Sequence, residues 1–181
     1  MNTTDRNQYN AHGQKHGHWI EQNFYGDVEE GQYVAGKRHG MWVLRFASGT
    51  VEKGPFVDGK RHGQWVERIG DGDVYDVHEG QYRDGEQHGH WVHRLANGNV
   101  SEVEYVDGKQ HGHWVERFAD GTVEEGAYVD DEPHGHWVLR YADGDVYEGP
   151  FVDGRAHGQW VVRHADGTVV KKRYENGNEV D

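Results

Sequence analysis

The chain contains no cysteine, which excludes disulfides and thiolate metal sites and says nothing firm about redox compartment. Serine is almost as scarce, with only Ser48 and Ser101, and neither sits in a constellation that could make it a nucleophile. Long apolar runs are missing too. Hydrophobic residues are 34% of the chain and the mean hydropathy is −1.05, so no stretch approaches the roughly 20 apolar residues of a membrane-spanning helix. Residues 1–8 are polar and lack the apolar core of a secretory signal, and a cytoplasmic location is the resulting expectation. Positive charge is in deficit: 19 Lys and Arg face 32 Asp and Glu, for a net charge of −13. Nucleic acid and anionic lipid both select a basic footprint, so nucleic acid is set aside as a partner and a membrane surface is disfavoured. Only the 15 histidines could add positive charge, in mild acid.

Against these absences stand 27 glycines and seven tryptophans, and the two are linked. Each tryptophan closes a His-Gly-x-Trp element, at Trp19, Trp42, Trp65, Trp91, Trp114, Trp137 and Trp160, with spacings of 23, 23, 26, 23, 23 and 23 residues. A fixed period of roughly 20 to 50 residues marks a repeat architecture, in which each unit buries its apolar face only against its neighbours. So thin a structure suits so polar a chain. Residues 1–9 carry no periodic pattern and read as a short disordered or capping tail; residues 10–181 read as one array of about seven repeats, with no second domain.

Fixed positions recur within each unit. A β-branched residue follows each Trp, an arginine stands three residues after it in all but the first unit, and a valine nine after it in every unit. Two turn signals punctuate the unit, one typified by Asp120-Gly121 and the other by Asp58-Gly59-Lys60-Arg61-His62. Asp-Gly between β-rich runs is a strong hairpin signal, and no 3.6-residue periodicity competes with it. The fold class is therefore all-β: an elongated, twisted antiparallel meander of stacked 23-residue hairpins in a single sheet. About fourteen strands at roughly 4.8 Å each would span on the order of 65 Å, and a sheet that wide must coil.

A two-residue turn at Asp120-Gly121 would pair Phe118 with Val123, Arg117 with Glu124 and Val115 with Gly126. A five-residue loop over residues 130–134 would then place Val123 between Phe118 and Tyr141. Alternation puts Trp114, Phe118 and Val123 on one face, and Val115, Arg117, Glu124, Gly126 and Tyr128 on the other. Arg117 with Glu124 and Arg45 with Glu52 become cross-strand ion pairs, and Gly126 a gap over which Tyr128 can lie. The third unit holds three extra residues within 73–79, Val103 replaces the strand glycine in the fourth, and Asp131 replaces the loop glycine in the fifth. Lys171, Lys172 and Arg173 would blunt an exposed final edge.

Units such as Tyr33-Val34-Ala35-Gly36-Lys37-Arg38-His39-Gly40, and residues 141–151 with Gly149-Pro150-Phe151, closely resemble MORN repeats, with their Gly-Lys-x-His-Gly element and a second glycine before an aromatic. The resemblance covers nearly the whole chain. One departure is systematic: Trp stands where many such repeats have glycine, which looks like a bacterial-type variant. The resemblance implies an antiparallel ribbon of hairpins with roles in scaffolding, dimerisation, binding of partner segments and, in some members, membrane association.

Histidine is the residue type that invites chemistry. His-Gly-His pairs, among them His88/His90, His111/His113 and His134/His136, would share a face if both lay in a strand, as His-x-His metal ligands do. Equivalent histidines in successive units would lie about 9.6 Å apart, two strand spacings, too far to share one ion, so no metal site is assigned and these six remain weak candidates. Asp71/Asp73 and Asp143/Asp145 lack the density of oxygen ligands that calcium takes. An enzyme needs a site that does not repeat; this chain offers none, and neither catalysis nor a cofactor is expected. A non-catalytic scaffold is the leading expectation, binding a partner segment or another copy of itself along an aromatic face. Its candidate residues are Trp42, Trp65, Trp91, Trp114, Trp137, Phe46, Phe118 and Tyr141, as anchors of the kind that dominate interfaces. Peripheral membrane association and histidine-mediated metal binding are the alternatives.

Overall fold

The computed structural model describes residues 6–180, over which the protein is all-β, with no helix. Eighteen strands form an open antiparallel sheet in meander order. The chain divides into two compact units, Met1–Gly89 and His90–Asp181. In the first, Lys15–Gln22, Val28–Val34, Lys37–Arg45, Val51–Val57 and Gly63–Ile69 pair in turn with their sequence neighbours. In the second, Val100–Val106, Lys109–Arg117, Val123–Val129, Glu132–Arg140, Val146–Val152 and Gly158–Arg163 do the same. The sheet begins earlier than residue 10, because Gln8 and Tyr9 pair with His16 and Lys15 and the Asn7 side chain bonds both N–H and C=O of Ile20. Residues 6–9 thus adjoin the sheet, and residues 1–5 lie outside the described residues.

The two turn signals are both hairpins, with loop lengths of three and two residues where two and five were expected. Asp120-Gly121 is part of a three-residue loop, Ala119 to Gly121, closed by Phe118 N–H donating to Thr122 O at 2.9 Å and Gly121 N–H to Phe118 O at 3.0 Å. Asp120 Oδ1 accepts from Thr122 N–H at 2.8 Å, and only Gly121 has a positive φ, +96°. This is the type I turn followed by a left-handed glycine expected of three-residue hairpins. The expected five-residue loop is instead a two-residue turn with both central residues at positive φ, as at Asp58 (+50°) and Gly59 (+86°) or Asp130 (+51°) and Asp131 (+71°). Hence Val123 pairs with Arg117 and Arg140, not with Phe118 and Tyr141, and Trp114 rather than Val115 pairs with Gly126. The asparagine-like bond from Asp120 to the backbone two residues on decides the matter: it holds Asp120 out of the left-handed region that a two-residue turn requires.

The longer strands, 9 residues against 7, contain two surplus residues, and a bulge absorbs them. The register shifts between Glu30 and Gln32 and between Glu125 and Ala127, at Gly31 and Gly126. In the third unit the extra residues lengthen the connection, and Ile69 pairs with Asp76 across it. Of Lys171, Lys172 and Arg173, Arg173 is covered by a further short strand, Asn178–Val180, and Glu179 meets Lys172 at 3.0 Å.

Candidate partner-binding face

The strand glycines explain the tryptophans. A Cβ built on Gly31, Gly54, Gly126 or Gly149 would stand 2.2–2.3 Å from Cδ2 of Trp42, Trp65, Trp137 or Trp160 respectively, so each indole lies flat against bare backbone. The ring fills the gap that sequence alone left to Tyr128. The carbonyl that follows the glycine gives the indole N–H an acceptor: Trp42 to Gln32 O (3.1 Å), Trp65 to Pro55 O (3.0 Å), Trp137 to Ala127 O (3.2 Å) and Trp160 to Pro150 O (3.1 Å); Pro55 O and Pro150 O accept the backbone N–H of His62 and His157 as well. A buried Trp is thereby satisfied at both its apolar body and its polar edge. Between consecutive tryptophans stands the aromatic two residues after the glycine, edge-on. Trp19, Tyr33, Trp42, Phe56, Trp65 and Tyr82 form such a ladder with centroids 5.0–6.0 Å apart, and Tyr128, Trp137, Phe151, Trp160 and Tyr174 form another. Tyr128 therefore shares the face of Trp114, against expectation, because Gly126 pairs with Trp114 rather than Val115 and Tyr128 stands two residues beyond it.

Over the first unit's ladder lies a layer of cations. Lys15 Nζ is 4.8 and 5.0 Å from the Trp19 and Tyr33 centroids and bonds both Glu21 oxygens at 2.6 and 2.5 Å. Arg38 covers Trp42 and Phe56 and pairs with Glu29. Arg61 covers Trp65 and Tyr82 at 4.4 and 5.2 Å and pairs with Glu52 and with Glu67 (2.7 Å). Burial and the neighbouring Glu67 carboxylate push the Tyr82 phenol up to about 12, against the pull of Arg61. Each of these side chains stands four residues before a tryptophan. Sequence inspection passed over the position although the signal is plain: it reads Lys15, Arg38, Arg61, then Gln87, Gln110, Pro133 and Ala156.

The second unit therefore carries the same ladder without the cations, and with one dislocation. Val103 (3% exposed) occupies the strand-glycine position, pairs with Trp114, and displaces the register shift to between Val103 and Tyr105. Six tryptophans are buried; Trp114 is half-buried, tilted 35° against Trp137 at 5.2 Å and 5.9 Å from Tyr128. A Cβ beneath the indole lifts it. Val103→Gly is accordingly expected to let Trp114 settle onto the backbone, seen as new exchange protection of its indole N–H by NMR; unchanged exposure would contradict the displacement.

Beside Trp114, Glu116 and Glu124 face each other directly across the strand pair. Among the described residues no ion pair forms to either. Burial, then the Glu116 charge, holds the Glu124 carboxyl above its usual range, and burial with both carboxylates raises the Tyr128 phenol. A carboxyl whose folded pKa exceeds its unfolded one costs stability above the folded pKa, and the cost fades as pH falls through it. Glu124→Gln is expected to stabilise the protein at neutral pH by about 0.2–1 kcal/mol, the range for like charges directly opposed in a sheet. That gain should vanish near about pH 4, where glutamate is protonated in the unfolded chain as well. Urea unfolding at both pH values checks this, and equal gains would refute it.

A family model, "MORN repeat", matches residues 30–51, 53–74, 78–100, 104–123, 125–146 and 147–169, six matches that take in well over half of the chain. The chain belongs to the MORN-repeat family. No curated protein sequence matches it. Among solved structures, the MORN array is similar to the SAS-4 (dCPAP) TCP domain of Drosophila melanogaster in complex with a proline-rich motif of Ana2 (dSTIL), at 13% identity and a TM-score of 0.48, covering 91% of this chain and 86% of that one. It is also similar to the TCP10 domain of Danio rerio CPAP, at 20% identity and a TM-score of 0.41, covering 96% of this chain and 91% of that one.

Within the MORN units the anchors suggested by sequence separate by burial. Trp42, Trp65 and Trp91 are less than 2% exposed and Trp137 is 5% exposed, so they build the core. Phe46 packs on the first unit's cluster, Phe118 closes a turn, and Tyr141, 39% exposed, meets Tyr147 edge-on at 5.2 Å. Phe46, Trp114 and Phe118 are half-buried, and Tyr141 is the exposed one of the eight. The histidines are divided: His93 stacks on Trp91 with centroids 5.9 Å apart, and those of the His-Gly-His pairs are set apart by their glycine. The glycine of each His-Gly-His has a positive φ, such as +97° at Gly112, which breaks strand alternation within the pair. His111 consequently meets loop Asp130 at 3.9 Å while His113 meets strand Glu125 at 3.2 Å. His90 lies 3.8 Å from Glu102, and Glu102 and Glu125 also pair with Arg117 and Arg140. The arginines thus bridge to other glutamates than expected, as the register shift dictates. His88 lies in Glu86–Arg94 and His134 and His136 in Glu132–Arg140. Among the described residues no group of three or more His, Asp or Glu is placed to hold a metal ion.

Proposed function

We propose that this MORN array is a non-catalytic scaffold that binds a protein or peptide partner on the tryptophan-bearing face of its second unit. The observation that carries the reading is the contrast between the units. The first covers its aromatic ladder with Lys15, Arg38 and Arg61; the second leaves Trp114 half-buried and Tyr141 exposed beside uncompensated carboxylates. An amphipathic aromatic surface of that kind suits protein anchors. Nothing in either unit departs from the repeat to make a catalytic constellation, and the acidic charge speaks against a lipid surface. A cytoplasmic setting fits a chain whose described residues contain no helix long and apolar enough to cross a membrane.

Affinity purification from the native cell with the intact chain and with Trp114→Ala/Tyr141→Ala tests the proposal. The expected result is a partner retained by the intact chain and at least tenfold depleted with the variant. A partner held equally by both would move the interface elsewhere, and crosslinking that yields only copies of this chain would replace the partner by self-association.

A further inference from the structure

The chain shows, in its own first repeat, what its fifth repeat lacks. Lys15, Trp19, Glu21, Glu29 and Tyr33 occupy the same repeat positions as Gln110, Trp114, Glu116, Glu124 and Tyr128. The registers coincide as well: Glu21 pairs with Glu29 as Glu116 does with Glu124, and Gly17 with Tyr33 as Gly112 with Tyr128. In the first repeat the box is full. The Lys15 ammonium lies between two aromatic rings and bonds Glu21, and Tyr33 OH donates to Glu21 Oε2 at 3.4 Å. In the fifth repeat the rings are present, 5.9 Å apart at 66°, and so are both carboxylates, but the residue that would supply the ammonium is Gln110. Its amide is neutral and is engaged with the Tyr105 hydroxyl on the preceding strand.

We infer that the box formed by Trp114, Glu116, Glu124 and Tyr128 receives a lysine or arginine side chain from a protein partner, in the place that Lys15 takes in the first repeat. The inference deepens the scaffold reading and rests on it. Three features make the occupant cationic rather than merely apolar. Two carboxylates face each other with no cation of their own, so a single positive charge relieves their repulsion as well as pairing with them. Ring faces flank the position, and aromatic quadrupoles favour ammonium and guanidinium groups. Trp114, Glu116, Glu124 and Tyr128 are all half-buried, so the box is within reach of solvent and of a partner's side chain. A long aliphatic stem reaching over the rings before its charge meets the carboxylates is the conformation that Lys15 itself adopts.

Gln110→Lys supplies the missing cation from within and is the decisive variant, since the first repeat shows that the fold accepts lysine there. The indole N–H resonance of Trp114 is followed by NMR while the intact protein is titrated with acetyl-Gly-Lys-Gly-amide, its arginine counterpart and its norleucine counterpart. Lysine and arginine peptides are expected to give saturable shifts with at least about fivefold tighter binding than norleucine. Those shifts should disappear in Gln110→Lys and in Glu116→Gln/Glu124→Gln and persist in Glu125→Gln, which alters the opposite face. Equal response to norleucine, or binding that survives Gln110→Lys in a protein whose spectrum remains folded, would overturn the inference. If Gln110→Lys and the unaltered chain capture the same cellular partner equally, the cation box falls while the scaffold reading stands; if Trp114→Ala/Tyr141→Ala also loses nothing, the reading beneath it falls too.

Discussion

Gly54→Ala is expected to destabilise the first unit by about 3 kcal/mol or more, at or beyond the upper end of the usual overpacking range. The added methyl would stand 2.2 Å from Cδ2 and 2.4 Å from Cε2 of Trp65, positions that a carbon cannot share with a rigid ring. Trp65 has nowhere to withdraw: it is 0% exposed, its N–H is held by Pro55 O at 3.0 Å, Phe56 and Tyr82 stand edge-on at 5.2 and 5.9 Å, and Arg61 covers its outer side at 4.4 Å. Gly121→Ala is the matched comparison, because φ there is +96° but nothing lies within 4 Å of the new carbon, leaving only a left-handed backbone cost of about 1–2 kcal/mol. Since each repeat rests on its neighbours, the Gly54 loss should appear first as vanished amide protection in Val51–Val57 and Gly63–Ile69, followed by an earlier urea midpoint. Equal penalties for the two substitutions would mean that backbone strain, not the indole, dictates glycine at the strand position.

What could be read from sequence divides along a physical line. Period, strand content, the positions of both turns and the existence of an aromatic face follow from short-range chemistry that repeats seven times, and all were legible. Register was not, because Asp-Gly suits both a two-residue and a three-residue hairpin and the choice rests on one side-chain bond, Asp120 Oδ1 to Thr122 N–H. A one-residue slip exchanges the faces of every residue beyond it; that is how Arg117 came to be matched with Glu124 when it pairs with Glu102 at 2.7 Å. By the same slip Gly126 and Tyr128 lie opposite Trp114 and Gly112, which puts Tyr128 on the face of Trp114. Of the candidate site, the tryptophans were found as a class and the cation layer was missed. Lys15, Arg38 and Arg61 resemble ordinary turn-flanking charges until the register brings them over rings of their own and the following strand. Val103 was seen as a departure, but its effect on Trp114 needed the glycine–indole contact to be known.

The same contact predicts that chemically identical substitutions will have opposite meanings in the two units. Trp65→Ala should cost about 3–5 kcal/mol, the range for emptying a buried aromatic site. It removes the ring over Gly54, leaves Pro55 O without its indole donor, and takes away the surface on which the Arg61 guanidinium lies between Glu52 and Glu67. A charge cluster deprived of its apolar floor will not hold its geometry, so the loss should exceed the cavity alone and extend to Tyr82, whose hydroxyl bonds Glu67 at 3.1 Å. Trp114→Ala removes a ring that Val103 has already lifted from the backbone and that solvent already reaches. Its cost should be about 1 kcal/mol, in keeping with partial rather than full burial of an aromatic side chain. Urea unfolding of the two variants side by side measures the difference, with the remaining tryptophans as reporters. If Trp114→Ala proves as damaging as Trp65→Ala, Trp114 is core and the second unit has no spare anchor. If it is nearly silent in stability yet abolishes partner retention, the repeat has kept a tryptophan at that position for its surface rather than for its fold.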